Sequence, residues 1–211
     1  IGLDFRQSDR TLYALSNERK IYSVATTGAL AAVRTLDTPL NGTTQYTLDF
    51  NPLIPTGSMQ NRLRLIGSDR SNAVVNVEDG VVTTNTAVSG SPMPEVKAAA
   101  YLNNFRGSTI TSLLVIDRAN SALSVQNISD TVATQGTLTR LSALGITLDP
   151  LSPVGFDASG RNNENQLLMA RTSSSGNFSL YRVNSAVNSN PLTLIDAIAS
   201  SSEFIDIAIR F

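Results

Sequence analysis

The stretch YTLDFNPLIPTGSMQNRLRLIGSDRSNAVVNVEDGVVTTNTAV, residues 46–88, carries four short apolar or alternating runs. They begin at Tyr46, Arg62, Asn72 and Val81. A period of two puts successive side chains on opposite faces of a pleated strand, and the Gly, Ser, Asn and Asp clusters between the runs are turn formers. Four strands joined in this way form one small antiparallel sheet.

The same unit recurs along the chain. YTLDFN is echoed by IGLDFR at 1–6, AAAYLNN at 98–104 and VGFDAS at 154–159. Second segments follow each: TLYALS (11–16), RLRLIGS (62–68), SLLVID (112–117) and QLLMAR (166–171). Third segments start at Lys20, Asn72, Ser121 and Phe178, and fourth segments at Ala29, Val81, Thr137 and Leu192. A four-strand unit repeated every ~45 to 55 residues is the pattern of a β-propeller blade. Runs such as SLLVID are apolar throughout because a blade packs on neighbours through both faces. The fold class read from the sequence is therefore all-β, a single propeller domain with four complete blades at roughly 1–45, 46–96, 97–150 and 151–201 and one strand of a fifth, closing blade at 204–211. The alternative is a β-sandwich, which needs no repeat.

One segment is left over. FIDIAIRF, residues 204–211, alternates like a first strand and has no second, third or fourth strand after it. Its apolar positions Phe204, Ile205, Ile207, Ile209 and Phe211 are the candidate closure or assembly surface, since propellers close by building one blade from both chain ends. Ile1 opens inside a strand, so the expected partner is a part-blade preceding it or, failing that, another chain.

Composition narrows the chemistry. The chain has 16 basic and 17 acidic residues, so no broad positive field attracts nucleic acid. Cysteine and histidine are absent, which removes thiolate and imidazole chemistry, disulfides and the usual zinc ligand sets. No apolar run approaches the ~18 residues of a membrane span, so no membrane insertion is expected. No G-x-S-x-G elbow is present, and any hydrolytic reaction would fall to carboxylates, tyrosine or the two lysines, Lys20 and Lys97.

The motifs GLDFR, LDFNP with NRLRLIGSD, AAAYLNN with LLVIDRANSALSVQN, GTLTRLSALG and VGFDAS resemble, in order and over the whole chain, the bacterial family called domain of unknown function 4394. The resemblance implies a secreted or envelope protein with propeller-like repeats. It also implies a further stretch before GLDFR, of the form GLTxxNxLVxFD, that is not in this sequence.

The candidate site residues follow from the repeat. Asp4, Asp49 and Asp157, with Asp206 in the extra segment, fall on innermost strands and would face a channel mouth. Converging carboxylates suit calcium, the one cofactor the sequence suggests, while acids that cap turns and bind backbone amides are the plainer reading. Asn51, Asn103 and Asn104 lie at equivalent strand ends, placed either to bind a sugar or peptide or to make turns. Arg62 and Arg64, two apart, point to one side of a strand and would clamp an oxyanion, unless Glu78 or Asp69 pairs with them. No catalytic residue and no metal ligand is assigned. The expected role is a non-enzymatic extracellular or cell-surface module that binds itself or another surface protein. The alternatives are a glycan-, peptide- or calcium-binding propeller and, less favoured, a carboxylate-based hydrolase.

Overall fold

A computed structural model describes residues 1–53, 62–129, 134–198 and 204–210. It contains four antiparallel four-stranded sheets. The first comprises β1 (Gly2–Arg6), β2 (Thr11–Leu15), β3 (Lys20–Val24) and β4 (Leu30–Thr35). The second comprises β5 (Tyr46–Phe50), β6 (Arg62–Gly67), β7 (Asn72–Asn76) and β8 (Val82–Thr84). The third holds β9 (Val96–Tyr101), β10 (Leu113–Asp117), β11 (Ala122–Gln126) and β12 (Leu138–Ala143). The fourth holds β13 (Gly155–Ser159), β14 (Asn165–Arg171), β15 (Phe178–Val183) and β16 (Leu192–Ile198). Strands adjacent in sequence are adjacent in each sheet, so the sixteen strands coincide with the sixteen repeated segments.

The sheets stand as propeller blades. β1 packs on β5, β5 on β9 and β9 on β13, which makes the first strand of every blade the innermost. The cores lie between blades. Tyr13, Leu15 and Ile21 meet Leu48, Phe50, Leu63 and Leu65 between blades 1 and 2, with the Tyr13 and Phe50 rings edge to face at 5.4 Å. Ile66, Tyr101, Leu113 and Val115 fill the space between blades 2 and 3, while Leu114, Ile116, Phe156 and Leu168 fill that between blades 3 and 4. Alternate residues of β10 therefore serve two different cores, and the whole strand is buried. That is the physical reason for its unbroken apolar run.

The blades also touch at the periphery. The turn before β8 carries Gly80 at φ 82°, where an added Cβ would lie 2.4 Å from the Thr35 carbonyl oxygen of blade 1. The Asp37 amide donates to the Gly80 carbonyl at 3.0 Å. Gly136, in the corresponding turn of blade 3, accepts from the Ser89 amide at 3.0 Å, and its Cβ would meet Thr86 O at 2.7 Å. In blade 4 Asn190 takes that place with φ 48°, a left-handed backbone conformation that asparagine tolerates.

The fifth, closing blade expected from the terminal segment is not formed among the described residues. Residues 204–210 belong to no ladder among the described residues. Phe211 lies outside the described residues.

Candidate functional site: the axial carboxylates and the closing segment

Asp4, Asp49 and Asp157 occupy one register position of their blades, and each offers a carboxylate oxygen within 4.8 Å of the others. All three are 2 % exposed and lie within strands, so the structure places them inside the axis and not at a channel mouth. Each reaches across to the next innermost strand. The Phe50 amide donates to Asp4 Oδ2 at 2.7 Å, and the Tyr101 amide donates to Asp49 Oδ1 at 3.3 Å. The Ile209 amide donates to Asp157 Oδ2.

This pattern fixes a register. The donating amide comes one residue after the equivalent position, which is Asp49 in blade 2 and hence Ala100 in blade 3. By the same rule Ala208 is the equivalent position in the terminal segment. A second ring of bonds confirms it. Thr47, two residues before Asp49, accepts the Ala99 amide through Oγ1 at 3.1 Å. Asp206, two residues before Ala208, accepts the Leu3 amide of blade 1 through Oδ2 at 3.1 Å. Residues 206–209 thus bridge β13 and β1 with the bonds one innermost strand makes to the next.

Two glycines make room for the segment. A Cβ on Gly155 would lie 2.7 Å from the Ile207 amide nitrogen, and one on Gly2 would lie 2.8 Å from Asp206 Oδ2. Phe204 anchors the start, its ring edge to face on Phe178 with centroids 5.5 Å apart. Ile205 is 61 % exposed, and Ile207 and Ile209 are half-buried.

Burial dominates the electrostatics of the axis. It pushes the Asp157 carboxyl up to about 7 and that of Asp206 up to about 8. Asp4 and Asp49 are held well above the usual carboxylate range, by burial first and then by neighbouring acids, Asp157 for Asp4 and Asp4 for Asp49. The amide hydrogen bonds oppose these shifts. Asp157 and Asp206 therefore hold protons close to neutral pH. The spacing of the three oxygens is also one a hard cation accepts, but calcium takes six to eight oxygens. Asp4 and Asp157 already use both of theirs on main-chain amides, at Phe5 and Phe50 and at Ala158 and Ile209. At 2 % exposure the three give no substrate an approach. The chemistry this arrangement performs is cross-linking of blades.

The remaining candidates scatter. Asn103 adopts φ 52°, and its carbonyl accepts the Phe105 amide at 3.0 Å, as a turn residue does. Asn104 is 2 % exposed, and its carbonyl ties blade 3 to blade 4 through the Gly160 amide at 3.1 Å. Asn51 accepts the Leu53 amide at 3.0 Å and lines a cavity with Arg62 and Arg64, away from the axis. Neither expected acid pairs with those arginines: Glu78 binds Arg6 at 2.6 Å, and Asp69 binds Thr44 at 2.8 Å and the Ser71 amide at 3.0 Å. Sequence reasoning missed Thr47, Gly2 and Gly155. The two glycines share a position two residues before the repeated Asp, and that regularity was a readable signal.

The repeat, the inner strands and the axial acids correspond to a known grouping. The family model described as Domain of unknown function (DUF4394) matches residues 1–208. The chain belongs to this family. The axial Asp4, Asp49 and Asp157 and the first part of the closing segment all lie within the stretch that the DUF4394 model spans. No curated protein matches the chain. Among solved structures, a protein from Lactobacillus plantarum is similar at 14 % identity and a TM-score of 0.44, over 96 % of this chain and 58 % of that one. The chain thus spans less than two-thirds of that protein's length.

Proposed function

We propose that this DUF4394 protein is a non-enzymatic interaction module, working outside the bacterial cell or on its surface, that takes β-strands of another polypeptide segment into the wedge between blades 4 and 1. The observation that supports it is an uncovered apolar blade face. Cross-strand register aligns Leu3, Ala14, Tyr22 and Ala32 in one row of blade 1, and Phe5, Leu12, Val24 and Leu30 in the next. The corresponding residues of blade 2, Leu48, Phe50, Leu63 and Leu65, are at most 4 % exposed because blade 1 covers them. In blade 1 all eight are half-buried or exposed, and Leu30 is 60 % exposed. Monomeric proteins rarely leave so continuous an apolar face to water.

Two further features favour the same reading. Gly80, Gly136 and Asn190 each abut the blade before them, whereas Gly28, in the same turn of blade 1 with φ 84°, has nothing within 4 Å of its Cβ position. On the other side, Leu167 and Leu180 of blade 4 are half-buried. Residues 206–209 occupy an inner-strand place and present an edge that joins no ladder among the described residues. Strand addition, with main-chain bonds to that edge and apolar side chains against blades 1 and 4, is the matching mode of recognition.

The test is sedimentation velocity on the chain of residues 1–211 across the micromolar range. With no other partner in solution the apolar face meets its own kind, so the expected result is concentration-dependent self-association that Leu12→Asp with Leu30→Asp suppresses. A wild-type chain that stays monomeric throughout would overturn the proposal.

A further inference from the structure

The boundary of blades 2 and 3 holds a buried cation that has no charged partner among the described residues. Arg64 is 6 % exposed. Its Nε donates to the Tyr101 hydroxyl at 3.1 Å and its Nη1 to Asn72 Oδ1 at 2.8 Å. Asn72 passes the chain on to the Thr86 carbonyl at 2.8 Å, and Tyr101 also bonds the Asn51 side chain. Every one of these partners is neutral. Asp49 stands across the strand pair from Arg64, but its carboxyl turns to the Tyr101 amide and the axial acids. Among the described residues no acid lies within 4.0 Å of the Arg64 or Arg62 guanidinium.

A buried charge persists only where something compensates it, and a planar guanidinium is built to bind oxyanions through two parallel bonds. The space beside it is suited to that. Arg62 and Arg64 lie on one side of β6 and line a cavity of about 210 Å³ with the side-chain amides of Asn51, Asn85 and Gln135. Leu53, Val74 and Ile128 supply apolar wall. A water takes ~30 Å³ of liquid, so the cavity exceeds the size of a bare oxyanion several-fold.

We propose that this cavity binds a small organic carboxylate of about the size of one sugar acid. Its carboxylate lies on Arg64 and Arg62, and its hydroxyls on the amides of Asn51, Asn85 and Gln135. The site lies between blades 2 and 3, apart from the wedge between blades 4 and 1, so it stands or falls independently of strand uptake.

The probe is D-glucuronate at millimolar concentration, with D-glucose as the neutral control, followed by the side-chain amide NMR signals of the chain at constant ionic strength. The expected result is saturable movement of the Asn51, Asn85 and Gln135 signals with glucuronate alone. In Arg62→Gln, a change at a half-buried site that the fold tolerates, the affinity falls roughly tenfold or more with the loss of one charged pair. Arg64→Lys keeps the charge but not the fork, and it weakens binding as well. Two results would overturn the proposal: no saturable movement with glucuronate, or equal affinity in wild type and Arg62→Gln.

Discussion

Asp206 shows how one side chain ties closure to pH. Its carboxyl sits between the Leu3 amide of blade 1 and its own neighbour Ile207, and burial raises it to about 8, with Asp157 at about 7. Unfolded carboxyls release their protons near 3.9. Between about pH 4 and 8 the folded chain therefore binds more protons than the unfolded one, and stability falls as pH rises across that window. The expected outcome is a thermal midpoint that climbs on acidification from pH 8 to 5, at up to about 1.4 kcal/mol per unit for each proton held. Acids held low, such as Asp9 by Arg6 and Glu95 by Arg118, act in the opposite sense, and only below the ordinary carboxylate range. Asp206→Asn removes one of these protons, so the slope between pH 5 and 8 becomes shallower; an unchanged slope would show that Asp206 does not hold a proton there. The repeated acids were legible in the sequence. Their register was not, because Asp206 lies two places before the position equivalent to Asp4, and the bonds of Ile209 to Asp157 and of Leu3 to Asp206 reveal the offset.

Among the elements, β10 and the closing segment behave oppositely. β10 is buried on both faces, and Leu114, 1 % exposed, belongs to the core between blades 3 and 4. Leu114→Ala is expected to cost about 2–5 kcal/mol in urea unfolding, from lost transfer energy and the cavity left behind. The closing segment is held by fewer contacts, and Gly155 is the most sensitive point. Gly155→Ala sets a Cβ against the Ile207 amide and the Asp206 backbone, so the segment must move. We expect a loss of about 1–3 kcal/mol, with faster hydrogen exchange at Leu3 and Ile209 than in wild type. Gly42→Ala, where nothing lies within 4 Å, serves as the control and changes neither. The sixteen strands were readable because alternation and turn residues are local properties. That FIDIAIRF has no partner strands after it was readable as well; where it lodges, against Gly155 and the Leu3 amide, was not, since that depends on packing between parts of the chain distant in sequence.

At the scale of the molecule the question is how the ring closes. Between blades 4 and 1, among the described residues, the segment 204–209 makes the bridge, through Leu3, Asp157 and Phe178. Deleting residues 204–211 removes the bonds to Leu3 and Asp157 and exposes Phe178, which Phe204 covers. The expected outcome is a chain of lower thermal midpoint and stronger aggregation; a deletion that alters neither stability nor assembly would leave the segment without a closing role. The core needs no such closure to form in blades 2 and 3, because each is sandwiched on both sides.

The sequence by itself determined the repeat, the four-stranded blades and their order around the axis, since these rest on local periodicity and on turn residues at regular spacing. Tertiary structure alone decided three things. It buried Asp4, Asp49 and Asp157 as inter-blade acceptors, it left the apolar rows of blade 1 half-buried or exposed, and it set Arg64 beside Tyr101 and Asn72 with no acid within 4.0 Å among the described residues. Each depends on which face of a strand meets which neighbour, and that is a property of packing between blades distant in sequence.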